Sequence, residues 1–247
     1  MLTTPTPLIT QKIPGSDPVV EVFGVPFDYT SSFRPGSRFG PNAIREAFLN
    51  IEIFSRRLRV DLEAHSIEDL GNLAVTMNSA KTLDAVAKLV GEIRTEGRRF
   101  AMLGGEHTIT YGALSKLPDN VCLVVFDAHL DLREEFSGVK LGHATFLRRV
   151  LETRDADSIL HVGSRAASKD EWNVAENLGL PLVSTDSTKK IPEQQRLLHE
   201  FLRECSRVYV SVDMDILDPA YAPGVGNPEP GGLSTSELLE LMYALDG

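Results

Sequence analysis

Long apolar runs, excess basic charge and cysteine are what this sequence has least of. No stretch of its 247 residues is apolar for long enough to cross a bilayer, so no membrane-spanning helix is expected. Lysine and arginine number 25 against 35 aspartates and glutamates, for a formal net charge of -10. Such an acidic balance argues against nucleic acid or an anionic membrane surface as the main partner. It suits a cationic small molecule or metal ions. There are 2 cysteines, Cys122 within an apolar strand pattern and Cys205 near the end of a helical one. Neither reads as a metal ligand or as half of a disulfide, which points to a reduced, cytoplasmic setting. The first residues have no basic region followed by an apolar one, so they do not read as a signal peptide. Residues 1–18 are expected to form a flexible N-terminal arm.

What is present reads as one α/β domain over residues 19–247, since strand and helix patterns alternate throughout. With 42% hydrophobic residues the chain can bury a full core. Val19–Val25 is the first strand, and it empties into a glycine-rich loop, Pro26 to Gly40, too long to be a mere connector. A helix starts at Pro41, with Ile44, Ala47 and Phe48 as its expected apolar stripe. Leu83, Val86, Leu89, Val90 and Ile93 mark a second helix that Gly97 ends. Ser168 with Glu171, and Ser234 with Glu237, have the spacing of capping boxes that open helices.

The unbroken apolar run Val121-Cys-Leu-Val-Val-Phe126 reads as a buried strand of a parallel sheet. It delivers Asp127, His129 and Asp131 at alternate positions, which share one side if the backbone stays extended. Ligands of open α/β sheets bind outside the carboxyl ends of strands, so these groups emerge where a site is expected. Two more strands end in the same way. Phe100–Leu103 delivers Gly104-Gly105-Glu106-His107, its glycine pair allowing a close backbone approach. Val208–Val212 delivers Asp213 and Asp215, followed by a loop rich in proline and glycine.

Crowding Asp127, Asp131, Asp213 and Asp215 without counter-charge would raise their pKa values and cost stability. Metal ions are the simplest answer. With His107 and His129 the donor set is oxygen-rich, which suits manganese better than zinc or copper, although affinity alone excludes neither. The set is larger than one catalytic metal with an open position can use, and bridging carboxylates would allow two metals to share a water. Elsewhere the plain readings hold. His161 is a packed core residue, His65 and His199 are surface residues, and Trp172 is a packing residue. Arg165, at a strand end, is not placed in the site. Glu106 is read as orienting the site and not as a ligand.

The motifs Gly104-Gly-Glu-His107, Asp127-Ala-His-Leu-Asp131 and Ser211-Val-Asp-Met-Asp215, with Asp218-Pro and Pro-Gly-Gly232 after them, resemble the ureohydrolase family of arginase and agmatinase. Gly24-Val-Pro-Phe-Asp28, Arg34-Pro-Gly36 and Arg38-Phe-Gly-Pro41 resemble its agmatinase branch. The resemblance implies a single arginase-like α/β domain with a central, mainly parallel sheet of about eight strands flanked by helices. It implies two manganese ions per chain. One would be held by His107, Asp127, Asp131 and Asp213, the other by His129, Asp127, Asp213 and Asp215, with Asp127 and Asp213 as bridges. A metal-bridging hydroxide would attack the guanidinium carbon, Asp127 and Asp215 acting in catalysis beside the metals. His143 would move the proton and contact the substrate. The implied reaction is hydrolysis of agmatine to putrescine and urea, with arginine, N1-aminopropylagmatine or another guanidino compound as alternatives. Glu134 and Glu135 are expected to repel an α-carboxylate and attract an amine, with Arg133 and Lys140 as the opposing charges nearby. The family also implies a homo-oligomer, a trimer or hexamer. A related one-zinc deacetylase and a metal-binding homologue without turnover are the other classes, separated by metal stoichiometry and urea release.

The resemblance implies one further strand, bearing a glutamate that holds the guanidinium, in a motif similar to Asp-Val-Val-Glu-Val-Asn-Pro. Nothing up to Gly247 matches it. The expectation is therefore a C-terminally incomplete chain with its last strand missing, or Glu229 of the proline-rich loop in that glutamate's place.

Overall fold

The computed structural model describes residues 2–3, 9, 13–185 and 191–246. Contacts divide the chain into two compact units, one of Met1–Tyr29 with Pro35–Lys116, the other of Thr30–Arg34 with Leu117–Gly247.

The first unit holds β1 (Leu2–Thr3), β2 (Val20–Val25), β3 (Phe54–Ser55), β4 (Val60–Asp61), β5 (Ile67–Leu73) and β6 (Arg99–Gly104), with α1 (Gly40–Phe48), α2 (Ser79–Thr95) and α3 (Ile109–Leu114). Its four-stranded sheet runs β1-β5-β2-β6, with β2 parallel to both β5 and β6 and β1 antiparallel to β5. β3 and β4 form a separate hairpin. The N-terminal stretch expected to be free is tied to this sheet at several points. Leu2 and Thr3 pair with Leu73 and Asn72, and the Ile9 and Ile13 amides donate to Asp69 Oδ2 and Ser66 Oγ at 3.2 and 2.9 Å.

α1 corrects the expected apolar stripe. Ile44 is 46% exposed, and the residues it buries are Pro41 and Arg45. A buried charge decides the helix face. Arg45 Nε and Nη2 donate to the two Asp69 oxygens at 2.7 Å each, and Nη1 donates to Asn72 Oδ1 at 2.6 Å. Burial acts to raise the Asp69 carboxyl, but the bonds from Arg45, Gly71 and Ile9 outweigh it and hold it below its ordinary value. β5, which carries Asp69, was not legible as a strand because Glu68, Asp69 and Asn72 interrupt its apolar pattern.

The second unit holds β7 (Cys122–Phe126), β8 (Ile159–Val162), β9 (Leu182–Val183) and β10 (Val208–Val212), with α4 (Phe146–Val150), α5 (Lys169–Leu178), α6 (Ile191–Arg203) and α7 (Thr235–Tyr243). Its sheet runs β10-β7-β8-β9, all parallel. β7 is buried along its whole length, as an apolar run between two neighbours requires. Phe126, Leu160, Leu198, Leu238 and Leu241 form the centre of the core. Both capping boxes are present, with Ser168 and Ser234 each exchanging bonds with the glutamate three residues on. His161 is buried in β8, and His65 and His199 are exposed.

The cysteine reading is overturned. Cys122 and Cys205 form a disulfide, their Cα atoms 5.9 Å apart. The parallel register sets Val208 beside Cys122, and the Cys122 amide donates to the Arg207 carbonyl, so the chain entering β10 passes the start of β7. A sequence separation of 83 hides that neighbourhood. The inference from free thiols to a cytoplasmic setting loses its basis. Among the described residues no helix is long and apolar enough to cross a membrane.

Removing one partner of a buried ion pair strands the other, at a cost of about 3–5 kcal/mol. Arg45→Ala is therefore expected to lower the unfolding free energy by that amount, and Ile44→Ala by less than about 0.5 kcal/mol. Equal denaturation midpoints for the two variants would show that the buried pair is not what holds α1.

Candidate metal centre

β7 and β10 run parallel in direct register, Cys122 beside Val208 through to Phe126 beside Val212. The next residues, Asp127 and Asp213, therefore leave the sheet side by side at its carboxyl edge. Their amides continue the ladder, Asp213 donating to the Phe126 carbonyl at 2.8 Å and Asp127 to that of Val162 at 3.0 Å. Gly163, on the neighbouring strand end, has φ +102, and a side chain there would run into Ile216 and approach the Asp127 carbonyl.

Beyond the edge the chain folds back on its own carboxylates. Asp127 Oδ1 accepts the His129 amide at 2.7 Å, Asp213 Oδ1 that of Asp215 at 3.0 Å, and Asp215 Oδ1 that of Ala128 at 3.1 Å. His129 Nδ1 lies 3.0 Å from Asp215 Oδ2 and 3.5 Å from Asp127 Oδ1. Donor atoms of Asp127, His129 and Asp215 all lie within 4.8 Å of one another. The expected extended run ends before Asp131, which takes φ 51 and is buried. A left-handed backbone at a non-glycine residue is strained, and such strain concentrates at functional sites.

The electrostatics are those of a place prepared for positive charge. Burial, then the charge on Asp127, hold the Asp131 carboxyl well above its ordinary value. Burial, then Asp213 and Asp127, do the same to Asp215. For His129 burial opposes the cation, yet hydrogen bonds and charge from Asp127 and Asp215 overcome it and raise the imidazole to about 11. These carboxylates share more negative charge than one imidazolium offsets, and their donors are oxygens with one imidazole nitrogen. The residues fit divalent cations.

A family model, the arginase family, matches residues 19–247. The chain belongs to the arginase family. This is a family of binuclear metal enzymes, and the chain is one of its ureohydrolases. An agmatinase from Bacillus anthracis is 35% identical over 92% of this chain and 78% of its own length. An N(1)-aminopropylagmatine ureohydrolase from Thermococcus kodakarensis is 34% identical over 89% of this chain and 75% of its own. The crystal structure of the agmatine ureohydrolase of Thermoplasma volcanium superposes with a TM-score of 0.86 at 38% identity, covering 92% of this chain and 77% of that one. The expected arginase-like fold is borne out, its mainly parallel strands hydrogen-bonded as two four-stranded sheets in which β1 alone runs antiparallel to its neighbour.

Within the second unit this arginase-family chain thus brings together Asp127, His129, Asp131, Asp213 and Asp215. In the first unit His107 follows β6 and is buried; Glu106 beside it accepts a bond from Thr108 at 2.9 Å. A side chain at Gly105 would run into the Phe27 and Val25 carbonyls, which accounts for the second glycine of the pair. His143 is half-buried, with Nδ1 3.3 Å from Thr30 Oγ1, Nε2 3.1 Å from Ser32 Oγ, and Phe136 edge-on to its ring. Glu135 is exposed. Glu134 faces Arg149, Arg148 and Lys140 at 3.2, 3.5 and 3.9 Å, so its charge is already countered.

Two residues that motif reading left out of the site hold it in shape. Arg165 donates to the main-chain oxygens of Asp215, Glu229 and Pro230 at 2.7, 2.9 and 3.1 Å. Glu171, read only as a helix cap, also accepts the Leu132 amide at 3.2 Å and pairs with Arg133 at 3.3 Å, fixing the loop after Asp131. Main-chain carbonyls and a loop amide leave no mark in a sequence, so neither role had a signal beyond residue type.

Because Asp131, Asp215 and His129 all hold protons more tightly than usual, a cation must displace protons to bind. Protons are fewer at higher pH, so apparent metal affinity should rise from pH 5 to pH 8, with proton release on binding. Isothermal titration of the metal-stripped protein in buffers of different ionisation enthalpy reads both quantities. An affinity flat with pH and no proton release would contradict the assigned environment.

Proposed function

We propose that this chain hydrolyses the guanidinium group of agmatine to putrescine and urea, using two manganese ions. The observation that carries this reading is the cluster of Asp127, His129 and Asp215 at the carboxyl edge of β7 and β10, with Asp131 and Asp213 beside it. His107 is proposed as a further ligand on the strength of its motif. Asp127 and Asp213 are proposed as the carboxylates shared between the ions. When bound, the ions supply a water that ionises near neutral pH.

The rest of the chemistry belongs to side chains. The C–N bond to the amine breaks, the water oxygen ends on urea, and the leaving nitrogen must gain a proton. His143 suits that transfer, since an imidazole exchanges protons near pH 7. Thr30 Oγ1 at Nδ1 orients the ring, and Nε2, on the exposed side beside Ser32, is the atom proposed to carry the proton.

Substrate choice turns on the far end of the molecule. An arginine α-carboxylate needs a cation to meet it, and the two nearest in the loop are engaged. Arg133 pairs with Glu171 and stacks on Phe136, its guanidinium 5.0 Å from the ring centroid, and Lys140 faces Glu134. Glu135 is left as the acid proposed to draw the distal amine, with Glu134 contributing less than its sequence position implies. The agmatinase name of relatives such as the Bacillus anthracis protein agrees with this choice. The family resemblance adds a proposed trimer or hexamer.

With Mn2+ supplied, kcat/KM for urea release is expected to be higher for agmatine than for arginine. The reverse order over a panel of guanidino compounds would refute the amine reading. His143→Ala is expected to keep its metal content while kcat falls by about two to four orders of magnitude. Metal loss in that variant, measured by elemental analysis, would show that His143 is a ligand.

A further inference from the structure

The two ring nitrogens of His129 have different neighbours. Nδ1 faces Asp215 and Asp127, so it is the nitrogen that meets any cation those carboxylates hold. Nε2 faces Glu229, whose Oε1 is 3.6 Å away. The Glu229 side chain is 39% exposed and that of His129 24%, so the carboxylate stands on the solvent side of the ring.

Glu229 stands on a loop segment held from both sides. Arg165 spans from the Asp215 main-chain oxygen to those of Glu229 and Pro230, coupling the loop to the strand end that carries the site. Asp218 takes the Gly231 amide at 2.8 Å and the Ala220 amide at 2.9 Å, closing the loop on its own start. The proline-rich sequence around Glu229 narrows its backbone further.

Resting on the reading that this centre binds metal, we propose that Glu229 is a positioning residue for His129. Its carboxylate accepts the Nε2 proton, which leaves the Nδ1 lone pair directed at the cation, and Arg165 holds the loop that presents it. A neutral imidazole has one ring proton, and a proton on Nδ1 would remove the ligand. Ligating histidines commonly have the other nitrogen fixed by a carboxylate in this way. The 3.6 Å separation is longer than a hydrogen bond, and the proposal requires the half-exposed Glu229 side chain to close on the ring when the cation is bound. This role is distinct from anchoring the guanidinium. An anchor acts on KM with metal binding unchanged, whereas a positioning residue acts on metal binding with KM unchanged once metal saturates.

The test is Mn2+ binding by equilibrium dialysis to the wild type, Glu229→Gln and Glu229→Ala, with thermal unfolding of each metal-stripped protein and KM for agmatine at saturating Mn2+. Glu229→Ala should weaken Mn2+ binding by about 10–100-fold, the usual effect of losing such a partner. Glu229→Gln, whose amide oxygen still accepts the Nε2 proton, should recover part of the loss. Metal-stripped unfolding temperatures and KM at saturating metal should match the wild type. Equal Mn2+ affinity in all three proteins overturns the inference, as does a raised KM with unchanged affinity, or an affinity loss that tracks a fall in unfolding temperature. Wild type that binds no Mn2+ overturns the metal reading and this inference with it.

Discussion

Negative charge packed out of water at the carboxyl ends of β7 and β10 is the constraint around which the second unit is built. Direct parallel register puts Asp127 and Asp213 next to each other, and Asp131 and Asp215 then have little freedom to lie elsewhere. Burial and mutual repulsion drive Asp131 and Asp215 toward the protonated form, and the same field holds His129 in its charged form. A site with these leanings gains most from divalent cations, because they remove both the repulsion and the incentive to keep protons. The chemistry of a metal hydrolase follows from that electrostatic imbalance.

Holding such a site open requires anchors that carry little net charge into it. The structure uses main-chain groups for this. Amides of Ala128, His129 and Asp215 bond to the carboxylates, and Arg165 collects carbonyls from the strand end and the proline-rich loop. Glu171 likewise serves several partners at once, since one carboxylate caps α5, receives the Leu132 amide and meets Arg133. The Ala128 amide, Arg165 and Glu171 each tie a segment bearing candidate ligands to a neighbouring element, so the arrangement is set by the scaffold before any cation arrives.

The parts of this design that were legible in the sequence are the ones written locally. Apolar runs gave β7 and β10, capping boxes gave the starts of α5 and α7, and acids or histidines at strand ends gave the ligand candidates. The readings that failed share one cause: they depend on neighbours distant in the chain. Ile44 was expected in the apolar stripe of α1, but Asp69 and Asn72 on β5 give Arg45 a place to be buried, and that turns Ile44 outward. β5 went unseen because residues that serve this buried pair break its hydrophobic pattern. Cys122 and Cys205 looked like separate thiols until the strand register brought them together. Arg148 and Arg149 on α4, which meet Glu134, are likewise partners that its own position in the sequence does not show.

By itself, then, the sequence determined the class of fold, the identity of the metal-binding residues as candidates, and the family. Hydrophobic period and residue chemistry are carried by adjacent positions, and three separated motifs of acids and histidines, each at a strand end, rarely coincide by chance. Only the tertiary structure decided that Asp131 and Asp215 are held above the ordinary carboxylate range while the buried Asp69 is held below it, which nitrogen of His129 faces the carboxylates, and which charges are already answered by arginine. Those outcomes depend on distances and on exclusion of water, and both are set by residues that meet only after the sheet has formed.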